Sequence, residues 1–129
     1  MIDQSKIESL SRVVMPHGTG GKPPNGHAGS MCVMECVAWV AGLPLYDHPA
    51  CASPVLTSLA IRINDGAWWD SDKERTDALR ALVVGLAGSR DDDREQSRKD
   101  AVRMWAYTVP VPHAGDSAVR ALTAASETW

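Results

Sequence analysis

The residues of this chain with the clearest potential for chemistry lie between positions 30 and 54. Cys32 and Cys36 are four residues apart, and His48 precedes Cys51 by three. Zinc is commonly held by four thiolate or imidazole ligands in a tetrahedron, and residues at positions i and i+4 share one face of a helix. The stretch therefore suggests a zinc site made of Cys32, Cys36, His48 and Cys51, although the spacing is not the short C-x2-C of common zinc motifs.

The same residues allow a second, catalytic interpretation. Cys32 stands near the start of a predicted helix, where the helix dipole lowers the pKa of a thiol, and so would serve as the nucleophile. His48 would act as the base, and Asp47 or Glu35 would orient it. No nucleophile signature of a known enzyme family surrounds these residues. This alternative predicts a metal- or thiol-dependent enzyme centred on Cys32, His48 and Cys51.

A third interpretation is structural and centres on Glu35. The helix predicted around Glu35 is apolar on its other sides, and a buried carboxylate must be protonated or paired. Its partner would be either the backbone N–H groups of the preceding glycine-rich segment or Arg62 on the next helix. Asp47 and His48 would hold their own loop through turn and capping contacts. This interpretation needs no ligand.

The elements that position these residues are predicted to be helices, and no stretch shows the alternation typical of a strand. Apolar spacing, capping residues and helix stops predict helices over 5–15, 31–41, 55–63, 71–87, 91–108 and 116–126. Ser30 is expected to cap the second helix, Gly42 to end it, and Ser53 with Pro54 to begin the third. The predicted fold class is all-α, a compact bundle of about five to six short helices in one domain, with a flexible Gly/Pro-rich loop over 16–29.

Composition and charge exclude several classes of function. The net charge of −3, with acids and bases interspersed, gives no basic face, so no nucleic acid partner is expected. No apolar run reaches the roughly 20 residues that span a bilayer, so no membrane association is expected. The N-terminus lacks an export signal and the chain has three cysteines, which favours a cytoplasmic protein without a disulfide framework.

The adjacent residues Trp68 and Trp69 suggest a binding surface. Tryptophan is enriched where protein interfaces concentrate their binding energy, and this chain contains no phenylalanine. Without a convincing catalytic set, the leading hypothesis is a non-enzymatic helical module that binds a protein partner. Trp68, Trp69 and Glu35 are its predicted binding residues, and no cofactor other than zinc is suggested.

The run from Gly29 to Gly42, the segment Asp47-His48-Pro49-Ala50-Cys51 and the residues Ser53-Pro54-Val55 resemble a family of small proteins from actinobacteria and their phages. The similarity lies within residues 29–65, about a third of the chain. The family has no assigned activity, so the resemblance implies a bacterial or phage-encoded cytoplasmic protein and no mechanism. The leading hypothesis adds a phage-encoded modulator of a host protein as one role of the helical module. The family commonly has a small residue where this chain has Cys36, which favours Cys32, Glu35, His48 and Cys51 as a structural or polar cluster over a four-ligand zinc site.

Overall fold

The computed structural model describes residues 2–66 and 69–108, which are mostly helical and contain one small sheet. The α-helices of this part are α1 (Gln4–Ser9), α2 (Val33–Val40), α3 (Pro54–Asp65), α4 (Asp72–Arg80), α5 (Val83–Ala87) and α6 (Glu95–Thr108), and short 3-10 helices cover Leu10–Arg12 and Asp92–Arg94. The predicted helical class is confirmed at this level. The helix predicted over 116–126 lies outside the described residues.

A two-stranded parallel sheet corrects the prediction that the chain has no strand. β1 (Val13–Val14) pairs with β2 (Gly29–Ser30), with Val13 opposite Gly29 and Val14 opposite Ser30. The first predicted helix was extended through both valines, whereas α1 and the 3-10 turn after it end at Arg12. Valine favours an extended backbone where a neighbouring strand is available. That neighbour comes from a distant part of the chain, so local spacing did not reveal it.

Contacts from α4 hold the chain next to β1. The Thr76 hydroxyl oxygen accepts a hydrogen bond from the Met15 N–H at 2.8 Å, and the buried Arg75 donates from Nη1 to the Met15 carbonyl at 3.1 Å. Arg80 donates from Nε to the Leu10 carbonyl at 3.1 Å. Because a buried backbone group without a partner is costly, these contacts fix the extended path between the 3-10 turn and the segment that follows.

Helix α2 begins two residues later than predicted. Its N-cap is Cys32, whose sulfur accepts a hydrogen bond from the Glu35 N–H at 3.4 Å, while Ser30 belongs to β2. The prediction was wrong because the Met31 N–H bonds the Val14 carbonyl at 3.3 Å, which keeps the chain extended up to Cys32. The predicted end is confirmed, since Gly42 has a φ of +73° directly after the C-cap.

The start of α3 is confirmed as predicted and has a partner from α6. The Ser53 hydroxyl oxygen accepts a hydrogen bond from the Leu56 N–H at 3.2 Å, and Pro54 occupies the first turn. The Glu95 carboxylate accepts from the Ser53 hydroxyl and from the Val55 N–H, the latter at 3.1 Å. Two backbone N–H groups in the first turn of α3 thus have acceptors, one from the Ser53 side chain and one from Glu95 of α6.

The predicted helix over 71–87 is present as two helices, α4 and α5. Its capping serine is confirmed, because the Ser71 hydroxyl oxygen accepts from the Glu74 N–H at 3.0 Å. The second half of the predicted capping box is absent, since the Glu74 carboxylate accepts instead from the Asp70 N–H at 3.1 Å.

Helix α2 lies at the centre of the core and packs against α1, α3 and α5. Each of its residues is buried except Trp39, which is half-buried. Met15, Met31 and Met34 are among the largest fully buried side chains, so methionine supplies much of the bulk that phenylalanine provides elsewhere. Among the described helices, none has the length and apolar character needed to cross a membrane.

Candidate functional site

Glu35 lies in the first turn of α2 with only 5% of its surface exposed. Its Oε1 accepts hydrogen bonds from the N–H groups of Gly20 at 2.7 Å, Gly21 at 3.3 Å and Cys32 at 3.1 Å. The contact with the glycine-rich segment is the one that the structural interpretation expected. Arg62, the alternative partner, is exposed. The carboxylate therefore joins the start of α2 to the segment over 16–29.

The glycine-rich segment approaches α2 closely at Gly20 and Gly21, where the backbone favours glycine for two different reasons. A Cβ atom on Gly20 would overlap the Ser30 carbonyl, and Gly21 has a φ of +67°. The segment is also tied by Lys22, which exchanges backbone hydrogen bonds with Ser30 at 2.7 and 2.9 Å, and by Gly18, whose N–H bonds Asp65 at 2.8 Å. Its path is thus fixed at residues 18 and 20–22.

The three cysteines are free thiols in different surroundings. Cys32 and Cys36 are buried in the core, and Cys51 is half-buried. Burial raises the pKa of Cys32 to about 12, with the negative charge of Glu35 acting in the same direction. Burial also raises the pKa of Cys36 and that of Cys51. Since the thiolate is the form that attacks carbon and binds zinc, these surroundings oppose both kinds of chemistry.

His48 is exposed on the loop after α2, and its Nδ1 lies 2.8 Å from Asp47 Oδ1. Its ring packs at a tilt against Tyr46, with 5.6 Å between ring centroids. A small cavity of about 20 Å³ has as its lining Gly18, Thr19, Cys32, Val33, Asp47, Ile61, Asn64 and Asp65. The acid, and not the imidazole, thus shares this cavity with the thiol. In the catalytic interpretation His48, and not Asp47, would lie beside the Cys32 thiol. The cavity lining therefore does not match that arrangement.

The four predicted zinc ligands all belong to the described part of the chain. Within that part, no group of three or more histidine, cysteine, aspartate or glutamate side chains is arranged to hold a metal ion. Zinc binding by Cys32, Cys36, His48 and Cys51 would therefore require the side chains to move together. The zinc prediction rests on sequence spacing alone.

Of the two predicted binding tryptophans, one belongs to the described part of the chain. Trp68 lies outside the described residues. Trp69 is half-buried against the core, and its Nε1 donates a hydrogen bond to the Ile63 carbonyl at 2.7 Å. Its indole N–H is therefore used within the protein, at the end of α3.

Sequence reasoning did not single out Tyr46, whose surface is 60% exposed. A signal for it was present, since Tyr46 is one of two tyrosines in the chain and lies between Pro44 and Pro49, in a segment that cannot continue the helix. Leu43, 37% exposed, lies in the same loop. This loop is the part of the described surface where exposed aromatic and aliphatic side chains come closest together in the sequence.

Comparisons of the chain with protein-family models, curated proteins and solved structures find no match.

Proposed function

We propose that this chain is a small, non-enzymatic helical module that binds a protein partner through the loop after α2. The contact surface, here the 43–50 surface, consists of the exposed residues Leu43, Pro44, Tyr46, His48 and Ala50. The 60% exposure of Tyr46 is the observation that carries the proposal. Tyrosine is enriched among the residues that dominate interface energetics, because it offers a large rigid ring with a polar end.

Hydrogen bonds at both ends hold this loop in place. The Leu43 N–H bonds the Ala38 carbonyl at 2.9 Å, the Ala52 N–H bonds the Pro49 carbonyl at 3.2 Å, and the Arg90 N–H bonds the Cys51 carbonyl at 3.1 Å. A loop that is already ordered loses less conformational entropy on binding. This favours the 43–50 surface as a docking surface over an unstructured segment.

The alternative of a thiol-dependent enzyme has less support. The raised pKa of Cys32 keeps its thiol protonated at neutral pH, and Asp47 rather than His48 lines the cavity beside it. Glu35 is occupied by three backbone N–H groups. In the proposal, these residues stabilise the fold while the neighbouring loop makes the contact.

The resemblance to small actinobacterial and actinophage proteins extends the proposal to the kind of organism and the cellular compartment. In that setting the protein is cytoplasmic, bacterial or phage-encoded, and acts by modulating a host protein. The 43–50 surface replaces Trp69 as the proposed contact, since the Trp69 indole N–H already bonds Ile63. Trp68 stays a predicted contact residue.

The test is site-specific photo-crosslinking in bacterial cells. A photoreactive amino acid replaces Tyr46 in one variant and Val84 in a control, because Val84 is 42% exposed on α5. We expect a defined protein to be captured from position 46 and not from position 84.

Affinity for the captured protein, once purified, then tests the role of the ring. Tyr46→Ala should weaken binding by about 30-fold or more, as expected for a central aromatic contact, while Val84→Ala leaves it within about twofold. Circular dichroism of both variants checks that they are folded. Equal capture from both positions, or unchanged affinity of the Tyr46→Ala variant, would refute the proposal.

A further inference from the structure

Beside the 43–50 surface lies a cleft of about 210 Å³ whose lining residues are His48, Pro49, Ala50, Ala52, Pro54, Thr57 and Arg90. We infer that this cleft binds the anionic group of a small ligand, a carboxylate or a phosphate. Its volume is below that of pockets for drug-sized ligands, which suits a small ligand or a single charged group. The cleft shares His48 and Ala50 with the 43–50 surface, but the inference goes beyond the proposed function and does not depend on it, because it concerns a different class of ligand and is centred on Arg90.

The charges that line the cleft are of one sign. Arg90 always carries a positive charge, His48 carries one when protonated, and the remaining lining residues are uncharged. Acids contact both basic groups, but each acid engages one nitrogen. Asp47 lies 2.8 Å from His48 Nδ1, and Asp92 accepts from Arg90 Nε at 3.0 Å. These pairs orient the side chains, and no described residue makes a hydrogen bond or ion pair with His48 Nε2 or with the two Nη groups of Arg90, which leaves these groups for a ligand.

The planar guanidinium of Arg90 is suited to this role. Its two Nη groups match two oxygens of a carboxylate or phosphate, and such charge-assisted pairs are stronger than hydrogen bonds between neutral groups. Pro49 is buried and Ala52 is 1% exposed, so part of the wall is apolar and shielded from water. The Arg90 and His48 side chains are 47% and 53% exposed, so an anion can reach both from solvent.

Backbone contacts fix the two sides of the cleft relative to each other. The Arg90 N–H bonds the Cys51 carbonyl at 3.1 Å, and the Ser53 N–H bonds the Ser89 hydroxyl oxygen at 2.8 Å. The start of α3 adds no free donor at its Val55 N–H, since Glu95 accepts from that group at 3.1 Å. Anion binding in the cleft is therefore assigned to the Arg90 and His48 side chains.

The test is a nuclear magnetic resonance titration of the ¹⁵N-labelled full chain with inorganic phosphate and, in a second arm, with acetate. Sodium chloride keeps the ionic strength constant in both arms. We expect saturable shifts confined to the amide signals of Ala50, Ala52, Thr57 and Arg90 in at least one arm. The arm that saturates at the lower concentration distinguishes phosphate-bearing from carboxylate-bearing ligands.

Charge-removing variants then assign the binding to the cleft. Arg90→Gln should weaken binding by about tenfold or more, and His48→Gln is a second variant expected to weaken it in the same direction. Arg94→Gln is the matched control, because Arg94 is exposed, pairs with Asp91 at 3.3 Å and does not line the cleft.

Three results would overturn the inference. They are shifts that never saturate in either arm, saturable shifts that lie away from the cleft, and equal affinities for the Arg90→Gln, His48→Gln and Arg94→Gln variants. A variant with the native pattern of amide signals is folded, so a loss of binding in such a variant is a property of the cleft. Phosphate or acetate binding that survives Tyr46→Ala separates this site from the proposed protein contact.

Discussion

Glu35 should stabilise the fold by several kcal/mol, because one of its oxygens accepts three backbone hydrogen bonds. The bonds from Gly20 and Cys32 are 2.7 and 3.1 Å long, and the third, from Gly21, is longer at 3.3 Å. A hydrogen bond to a charged acceptor contributes about 1.5–3 kcal/mol. Gly20 and Gly21 are not fully buried, so water replaces part of what is lost and the lower value applies. Counting the two short bonds, Glu35→Ala should lower the free energy of unfolding by about 3 kcal/mol.

Glu35→Gln separates the geometry of the acceptor from its charge. The glutamine amide has nearly the same shape and can place its oxygen where Oε1 lies, but its hydrogen bonds are roughly half as strong. We expect this variant to lose about 1–1.5 kcal/mol. Hydrogen exchange of the Gly20 and Gly21 amides should quicken in both variants, and more in Glu35→Ala, because these amides lose their acceptor.

The assay is urea denaturation followed by far-ultraviolet circular dichroism. Glu8→Ala is the control, since Glu8 is exposed on α1, and it should change the free energy of unfolding by less than about 0.5 kcal/mol. A loss of less than about 1 kcal/mol in Glu35→Ala would refute the reasoning, because it lies well below the contribution expected from the two shorter bonds alone. Equal losses in Glu35→Ala and Glu35→Gln would contradict the role given to acceptor geometry.

Two further predictions concern the cysteines and the glycine-rich segment. Iodoacetamide should modify Cys51 before Cys32 in the native protein, because a pKa of about 12 leaves about one Cys32 thiol in ten thousand ionised at pH 8. Peptide mass mapping measures the order of modification, and faster modification of Cys32 would contradict the prediction. Gly20→Ala should lower the melting temperature clearly more than Gly26→Ala. A Cβ added at position 20 overlaps the Ser30 carbonyl, whereas Gly26 has a φ of +73° and open space around it. Gly26→Ala should cost about 1 kcal/mol from backbone strain alone, and equal melting temperatures for the two variants would contradict the described path of the segment.

The elements that sequence reasoning placed well are those decided by local chemistry. Ser53 with Pro54 begins α3, and Gly42 ends α2, because a hydroxyl cap, a fixed proline φ and a positive φ are properties of single residues. Ser30 failed as a cap because its neighbour Met31 bonds Val14, seventeen positions before Met31 in the chain. The pairing of β1 with β2 has the same non-local origin, and a short strand has no period from which to detect it.

The candidate site was predictable to a similar extent. A buried carboxylate needs hydrogen-bond donors, and the backbone N–H groups of the preceding glycine-rich segment were one of the two partners predicted for Glu35. The choice of Gly20 and Gly21 depends on how the segment pairs with Ser30, which the sequence does not reveal. The spacing of the cysteines and His48 could not tell whether these side chains meet at one site. It does not determine whether the loop turns His48 toward the thiols or toward solvent.

Helices α2 and α3 differ in where the hydrogen-bond acceptors for their first-turn N–H groups come from. This difference bears on the order in which the chain folds. Helix α2 is capped by its own residues Cys32 and Glu35, whereas the first turn of α3 also uses Glu95, forty positions beyond Val55. Closing a longer loop costs more entropy, so the nearby cap should form first. During synthesis, α2 can cap itself as soon as it leaves the ribosome. The Ser53 cap of α3 is also local, but the contacts of Glu95 with Ser53 and Val55 must wait until Glu95 has emerged and α6 has docked.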